Sequence, residues 1–142
     1  IEENGLRISL YKSLFSVSSL SELELFRGGL INRFGKYPNE VEFLLWSQEL
    51  RILCLGAAVS SIIIRKEAVG VVFLPGKHLK NPVVFVEWVS GFFNDFTEDF
   101  SFKVGAGNKT ILRFASSLNK KDIYMFLKDL LNKFRESFLR GT

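Results

Sequence analysis

Residues Ser61–Leu74 read SIIIRKEAVGVVFL, and this stretch separates a helical first part of the chain from a second part that contains strands. Ser61–Lys66 and Val69–Leu74 are rich in β-branched residues, which favour the extended backbone of a strand. A short Glu-Ala turn separates the two runs, and Pro75 and Gly76 end the second one. The stretch therefore predicts a pair of adjacent strands.

The chain after this pair repeats the same order of elements. Asparagine is a favoured helix cap and proline suits the first turn of a helix, while a glycine-rich tetrapeptide suits a hairpin. The elements that we expect are a helix at Asn81–Phe96, strands at Phe100–Val104 and Thr110–Phe114 joined by the turn Gly105–Asn108, and a last helix capped by Asn119 with Asp122. The order is therefore strand, strand, helix, twice, and whether it is a true duplication stays open.

The chain before this pair predicts three helices. Leu6–Val17 has leucines at helical spacing, and Ser19 with Glu22 fits a capping box that starts a second helix. Gly35 suits the C-terminal cap of that helix, and Pro38 the first turn of a third, which runs to Leu55. The second helix carries one expected apolar face: Leu20, Leu23, Phe26, Leu30, Ile31 and Phe34.

These elements predict an α+β fold. Three N-terminal helices precede a four-stranded antiparallel sheet in ββα-ββα order, with two helices flanking the sheet. The 142 residues are enough for one domain with a sizeable core. We expect a single domain over residues 1–142, with a helical part at 1–58 and a ββαββα part at 59–142.

Composition favours a cytoplasmic protein. No apolar run reaches the 18 or so residues of a membrane span, no secretory leader is recognisable, and the single cysteine cannot form an internal disulfide. The first residue is Ile1 rather than methionine, which indicates a fragment of a longer protein.

Charge is uneven along the chain. Residues 1–60 hold seven acids and six bases, a net charge of −1, whereas residues 61–142 hold eight acids and thirteen bases, a net charge of +5. A basic half keeps nucleic-acid binding as an alternative function, although the bases are spread out rather than clustered.

No constellation for catalysis or metal binding is recognisable. The residues GAGNKT at Gly105–Thr110 lack the spacing of a phosphate-binding loop and precede a strand rather than a helix. His78 has no cysteine or acidic partner at ligand spacing, so we expect a solvated loop histidine. The acidic residues around the end of the fourth helix, Asp95, Glu98 and Asp99, fit an acidic turn. We predict no catalytic residue and no metal site.

Two segments in the first third of the chain resemble a known family. Arg7–Ser19 reads RISLYKSLFSVSS and Leu30–Pro38 reads LINRFGKYP, and the leucine-rich helix Pro38–Leu55 follows. They are similar to the C-terminal domain of the bacterial transcription-repair coupling factor, Mfd. The resemblance is specific over about the first 55 residues and rests on the order of strands and helices beyond them.

The resemblance implies a non-catalytic regulatory module of a larger protein. The parent would be an ATP-dependent DNA translocase that displaces stalled RNA polymerase and recruits UvrA to excision repair. ATP and magnesium would serve the parent, with no cofactor in this fragment. The domain would pack on the parent's N-terminal UvrB-like module, which binds UvrA, and hold it in an autoinhibited state.

The resemblance also implies a partner interface at the end of the second helix. Family members carry Glu-Leu-Ile-Asp before Arg-Phe-Gly, and its two carboxylates face basic residues of the partner module. Here Gly29 and Asn32 stand at the two acidic positions. We expect an interface at Gly29, Asn32, Arg33 and Lys36, and motif residues with a structural role at Leu10, Tyr11, Lys12, Phe34, Gly35 and Pro38. A second reading of Gly28 and Gly29 is that they let a neighbouring backbone approach closely.

Overall fold

The computed structural model describes residues 4–76, 82–92, 100–115 and 119–139. These residues form two compact units, Ile1–Ile52 and Leu53–Thr142. The elements are α1 (Asn4–Ser16), α2 (Leu20–Phe34), α3 (Asn39–Gly56), β1 (Val59–Ile64), β2 (Ala68–Phe73), α4 (Pro82–Phe92), β3 (Phe100–Val104), β4 (Thr110–Ala115) and α5 (Lys120–Phe134). A π-helical turn, Arg135–Leu139, continues α5.

The start of α2 confirms the predicted cap. Ser19 has an extended backbone, and its Oγ accepts a hydrogen bond from the N–H of Glu22 at 3.2 Å. The Glu22 carboxylate in turn accepts from the N–H of Ser18 at 3.3 Å, one residue earlier than in the usual capping box. Two backbone donors at the helix start are thereby satisfied.

The end of α2 also follows the prediction. Gly35 adopts φ 68° and ψ −140°, and its N–H donates to the carbonyl of Ile31 at 2.8 Å. A side chain is strained in this backbone region, which accounts for glycine here. The carbonyl of Pro38 accepts from the N–H of Val41 at 3.0 Å. Pro38 was predicted in the first turn of α3, but α3 begins at Asn39, so Pro38 caps the helix from just outside it.

The core of the first unit joins all three helices. Its buried members are Leu10, Leu14, Val17, Leu23, Leu30, Val41 and Leu45. Gln48 is also buried, and its Nε2 donates to the carbonyl of Val17 at 2.7 Å. Val17 is the first residue after α1, so this hydrogen bond satisfies a buried carbonyl that the helix leaves free. The predicted apolar face of α2 was too wide. Leu20 and Ile31 are 43% and 51% exposed, because the partners of α2 cover only the stripe through Leu23 and Leu30.

The four strands form an antiparallel sheet in the order β1-β2-β4-β3. The predicted first strand, 61–66, lies two residues too late. Arg65 donates its N–H to the carbonyl of Ala68 at 2.8 Å, so Arg65 and Lys66 belong to the hairpin turn. At the other end, a register shift between Val59 and Ser61 adds a bulge that lets pairing continue to Val59.

Gly105–Asn108 forms the predicted turn between antiparallel strands. The N–H of Gly105 donates to the carbonyl of Lys109 at 2.7 Å, and Gly107 and Asn108 have φ of 69° and 62°. Glycine and asparagine are the residues that tolerate this left-handed backbone. The hairpin joins β3 to β4, which is not the strand-to-helix context of a phosphate-binding loop.

Both helices of the second unit pack on one face of the sheet. Phe73 of β2 contacts Phe85 of α4 and Phe134 of α5, with ring centroids 5.3 Å and 4.8 Å apart. Phe114 of β4 meets Phe126 of α5 at 5.3 Å. Aromatic rings at these distances add edge and offset contacts to the area that they bury.

The predicted α+β class, with helices on one face of a four-stranded antiparallel sheet, is therefore confirmed. Asn119 caps α5 as expected, since its Oδ1 accepts from the N–H of Asp122 at 2.8 Å. The predicted cap at Asn81 and the predicted helix end at residues 93–96 lie outside the described residues.

Candidate functional site

A polar network of three side chains holds α2 and α3 together around the turn between them. Arg27 donates from Nη1 to Glu42 Oε1 at 2.8 Å, and the Tyr37 hydroxyl donates to Glu42 Oε2 at 2.5 Å. Arg27 Nη1 also lies 3.5 Å from the Tyr37 hydroxyl, and Glu49 is 4.0 Å from Nη2. The Glu42 carboxylate thus receives one donor from α2 and one from the α2–α3 turn.

The network changes the acidity of its members. Burial raises the pKa of the Glu42 carboxyl, but the hydrogen bonds from Tyr37 and Arg27 outweigh burial, so the pKa is lowered. Burial and the hydrogen bond to Glu42 raise the pKa of Tyr37. Burial lowers the pKa of Arg27 and the Glu42 contacts more than restore it, so the net shift is upward. At neutral pH the network is therefore an ion pair with a neutral phenol.

The segment between Arg27 and Tyr37 contains all four residues of the predicted interface. The Arg33 guanidinium lies over the Phe34 ring, 5.1 Å from its centroid, which holds an exposed cation near the helix end. Asn32 and Lys36 are also exposed. The network therefore fixes the turn, while the predicted interface side chains face solvent.

A surface of α2, which we name the α2 outer face, consists of Leu25, Gly28, Gly29 and Asn32. Their spacing of three and four residues places them on one side of the helix. Leu25 is 78% exposed. A Cβ added at Gly28 or Gly29 would meet no described atom within 4 Å. Close approach of a backbone within the described part of the chain is therefore not the reason for the two glycines.

The predicted structural motif residues lie where packing explains them. Leu10 is buried in the core of the first unit, Tyr11 is half-buried and Lys12 is exposed. Phe34 packs against the same core, and Gly35 and Pro38 form the α2–α3 turn described above. Among the predicted residues, only Gly29 and Asn32 lie on the α2 outer face, with Arg33 beside it and Lys36 beyond the helix end.

Sequence reasoning missed the network and Leu25. Arg27 is separated from Tyr37 by ten residues and from Glu42 by fifteen, so no helical periodicity connects them. Leu25 carried a usable signal, since it falls off the apolar stripe that contains Leu23 and Phe26 yet is a large apolar residue. Together with the two glycines it gives α2 an exposed apolar side chain beside open space.

The described residues hold neither a metal-binding cluster nor a reactive thiol. They contain no group of three or more His, Cys, Asp or Glu residues that could hold a metal ion, and none of their helices is long and apolar enough to cross a membrane. Cys54 is buried, and burial raises the pKa of its thiol to about 11, which makes it unreactive at neutral pH. His78 and the predicted acidic turn at residues 95–99 lie outside the described residues.

Comparison with known families matches the part of the chain that carries this site. A family model for the TRCF domain matches residues 1–82, more than half of the chain. The chain belongs to the TRCF domain family. The match includes α1, α2, α3 and the first two strands, so the turn fixed by Arg27, Tyr37 and Glu42 lies inside the TRCF domain.

One curated relative is the transcription-repair-coupling factor of Bacillus subtilis (strain 168). It is 33% identical to this TRCF domain over 69 residues, which are 49% of the chain and 6% of the relative. The chain thus matches only a small part of the relative's length. A crystal structure of the C-terminal domain of transcription-repair coupling factor shares the fold, with a TM-score of 0.68 over 96% of this chain and 85% of that chain, at 16% identity.

Proposed function

We propose that this chain is the C-terminal regulatory domain of a transcription-repair coupling factor and acts through protein–protein contact without catalysis of its own. It docks on the N-terminal UvrB-like module of the same cytoplasmic protein and restrains recruitment of UvrA. The parent uses ATP and magnesium to translocate on DNA and displace stalled RNA polymerase. Membership of the TRCF domain family supports the identity, and the α2 outer face supports the mode of contact.

The observation that carries the docking proposal is an exposed apolar side chain next to a helix surface that lacks side chains. Leu25 is 78% exposed, and the space above Gly28 and Gly29 is open to 4 Å among the described residues. Helices approach most closely where side chains are absent, so a partner helix would fit over the glycines and bury Leu25. Full burial of one leucine contributes about 1.5–3 kcal/mol.

The contact proposed here differs from a charged clamp. Gly29 and Asn32 provide no carboxylate, so affinity would come from shape and apolar burial, with Arg33 and Lys36 at the rim. Rim charges mainly change the association rate and its salt dependence rather than the dissociation rate. We therefore expect salt to change the dissociation constant only through the association rate, with a nearly constant dissociation rate.

Binding of this chain to the purified N-terminal module, measured by titration calorimetry, tests the proposal. Leu25→Asp places a charge in the proposed contact and should weaken binding at least tenfold. Ile8→Asp is the matched control, because Ile8 is an exposed apolar residue on α1, 54% exposed. Equal affinities for the two variants, or no binding by the unmodified chain at any concentration reached, would exclude docking through the α2 outer face.

A double variant tests the lost carboxylates. Gly29→Glu with Asn32→Asp should tighten binding only if the partner module keeps basic residues opposite these positions. Tightening that disappears at high salt would indicate restored ion pairs. No change with basic partner residues present would show that the partner contacts another surface.

A further inference from the structure

The sheet of the second unit has an outer face, the side away from Phe73, Phe102 and Phe114. Alternation along each strand and the pairing register define its members. One row across the sheet is Ile63, Gly70, Arg113 and Ser101, and the next is Ser61, Val72, Ile111 and Lys103. Arg65 and Ala68 lie at the end of the first hairpin. We name this set the outer sheet face.

Three exposed cations meet on this face, two from strands and one from the turn of the first hairpin. Arg65, Lys103 and Arg113 line one shallow depression of about 230 Å³, whose floor includes Gly70 and Ile111. Among the described residues, the outer sheet face carries no carboxylate. Glu67, which is exposed, lies in the same hairpin turn as Arg65 but does not line the depression. The face is thus a local concentration of the positive charge that the second half of the chain carries.

The three cations form a diagonal line. Lys103 is opposite Ile111, two residues from Arg113, and Arg65 lies two strands further on. With strands about 4.8 Å apart and a rise of about 3.4 Å per residue, the Cα atoms of Lys103 and Arg113 lie about 8 Å apart and those of Arg113 and Arg65 about 12 Å apart. The line crosses the sheet over about 20 Å.

The shape of the face limits what it can bind. A volume of about 230 Å³ is below the roughly 300–1,000 Å³ of small-molecule pockets, so a nucleotide-sized ligand would find no enclosure. The described residues of the face include no aromatic ring, since Phe100 and Phe102 lie on the helix-covered side. Recognition of single strands relies on stacking of bases on aromatic side chains, which this face does not offer.

We propose that the outer sheet face binds the phosphate backbone of double-stranded nucleic acid without reading its sequence. A duplex strand presents a continuous line of negative charge, which can meet a diagonal row of cations in many registers. An acidic protein segment presents carboxylates at fixed points and needs an apolar anchor, for which the shallow floor at Gly70 has little depth. Lys103, Arg65 and Arg113 act as point contacts to phosphates.

Fluorescence anisotropy with a labelled 20-base-pair duplex and the 142-residue chain, over a range of salt concentrations, tests the proposal. Three phosphate contacts predict a slope of about −2.7 in a plot of log affinity against log salt, which is about a 40-fold fall between 50 and 200 mM. Each single substitution, Arg65→Gln, Lys103→Gln or Arg113→Gln, should reduce the slope by about 0.9. A duplex of unrelated sequence should give the same slope.

A charge-matched control separates the site from overall charge. The triple variant that combines Arg65→Gln, Lys103→Gln and Arg113→Gln should bind the duplex too weakly to measure at 50 mM salt. Arg51→Gln with Lys121→Gln and Lys133→Gln removes the same charge from exposed helix positions and should keep the slope. Equal loss in both triple variants, or no binding by the unmodified chain at 50 mM salt, would overturn the proposal. Tighter binding of polyglutamate than of the duplex would assign the face to an acidic protein instead. Circular dichroism spectra check that each variant is folded.

Discussion

Substitution of Gly28 and Gly29 by alanine should stabilise the chain. Both glycines lie in the interior of α2, where glycine is about 0.8–1.0 kcal/mol less favourable than alanine. A Cβ at either position meets no described atom within 4 Å, so no steric cost offsets this gain. The double variant should therefore gain about 1.6–2 kcal/mol in the free energy of unfolding.

Thermal unfolding followed by circular dichroism measures this gain. For a chain of this length, 1 kcal/mol corresponds to about 2–4 °C, so the double variant should unfold about 3–8 °C higher. Hydrogen exchange of the α2 amides should slow in parallel, because the gain lies in that helix. The control is Gly35→Ala, at the C-terminal end of the same helix. Gly35 has φ 68°, so the added side chain is strained and should cost about 1–3 kcal/mol.

The two expected changes in the free energy of unfolding, a gain for the double variant and a loss for Gly35→Ala, test the geometry of α2 together. A destabilised Gly28→Ala with Gly29→Ala double variant would mean that the space above the glycines is filled within the chain. A stabilised Gly35→Ala would mean that α2 does not end in the left-handed cap. If the double variant is more stable yet binds the N-terminal module more weakly, the glycines are kept for docking at a cost in stability.

Four further predictions concern the Arg27 network and two buried residues of the second unit. Arg27→Met should cost about 2–3 kcal/mol in urea unfolding because it removes a charged hydrogen bond to Glu42, and a loss below about 0.5 kcal/mol would contradict that. Since the folded pKa of Glu42 is lowered, its contribution is present above the unfolded pKa and lost as pH falls through the folded value. The Glu42→Gln variant should therefore lose less stability than the unmodified chain as the pH falls below about 4.5. Parallel plots of the free energy of unfolding against pH for the two proteins would contradict the lowered pKa. Cys54 should resist a thiol reagent at pH 8 until the chain unfolds. Phe134→Ala should cost about 3–5 kcal/mol in urea unfolding, because its ring packs on Phe73 and Phe85 in the second unit, and a loss below about 1 kcal/mol would contradict that.

The parts of the fold that local chemistry specifies were predictable from the sequence. Ser19, Gly35 and Asn119 end or begin helices through hydrogen bonds to residues three or four positions away, and each lies at its predicted cap. The turn at Gly105–Asn108 is of the same kind, because left-handed backbone favours glycine and asparagine. Local contacts of this sort require no knowledge of the rest of the chain.

The parts that depend on distant contacts were not predictable. The stripe of α2 that is buried depends on where α1 and α3 lie, so Ile31 fits the helical pattern but is exposed. The bulge near Ser60 shifted the first strand, because pairing with β2 rather than propensity fixes its start. The outer sheet face needs the pairing of β2 with β4, which brings the first hairpin and Arg65 beside Arg113 and which a single sequence does not contain.

The turn and the candidate interface of this TRCF domain depend on different residues. Arg27, Tyr37 and Glu42 fix the geometry from the inside of the turn through one carboxylate. Gly29 and Asn32 lie outside that network, and no hydrogen bond of the network passes through them. A change of charge at these two positions would therefore leave the turn intact. In the proposed docking, recognition would then rest on shape, through the exposed Leu25 and the space above the glycines.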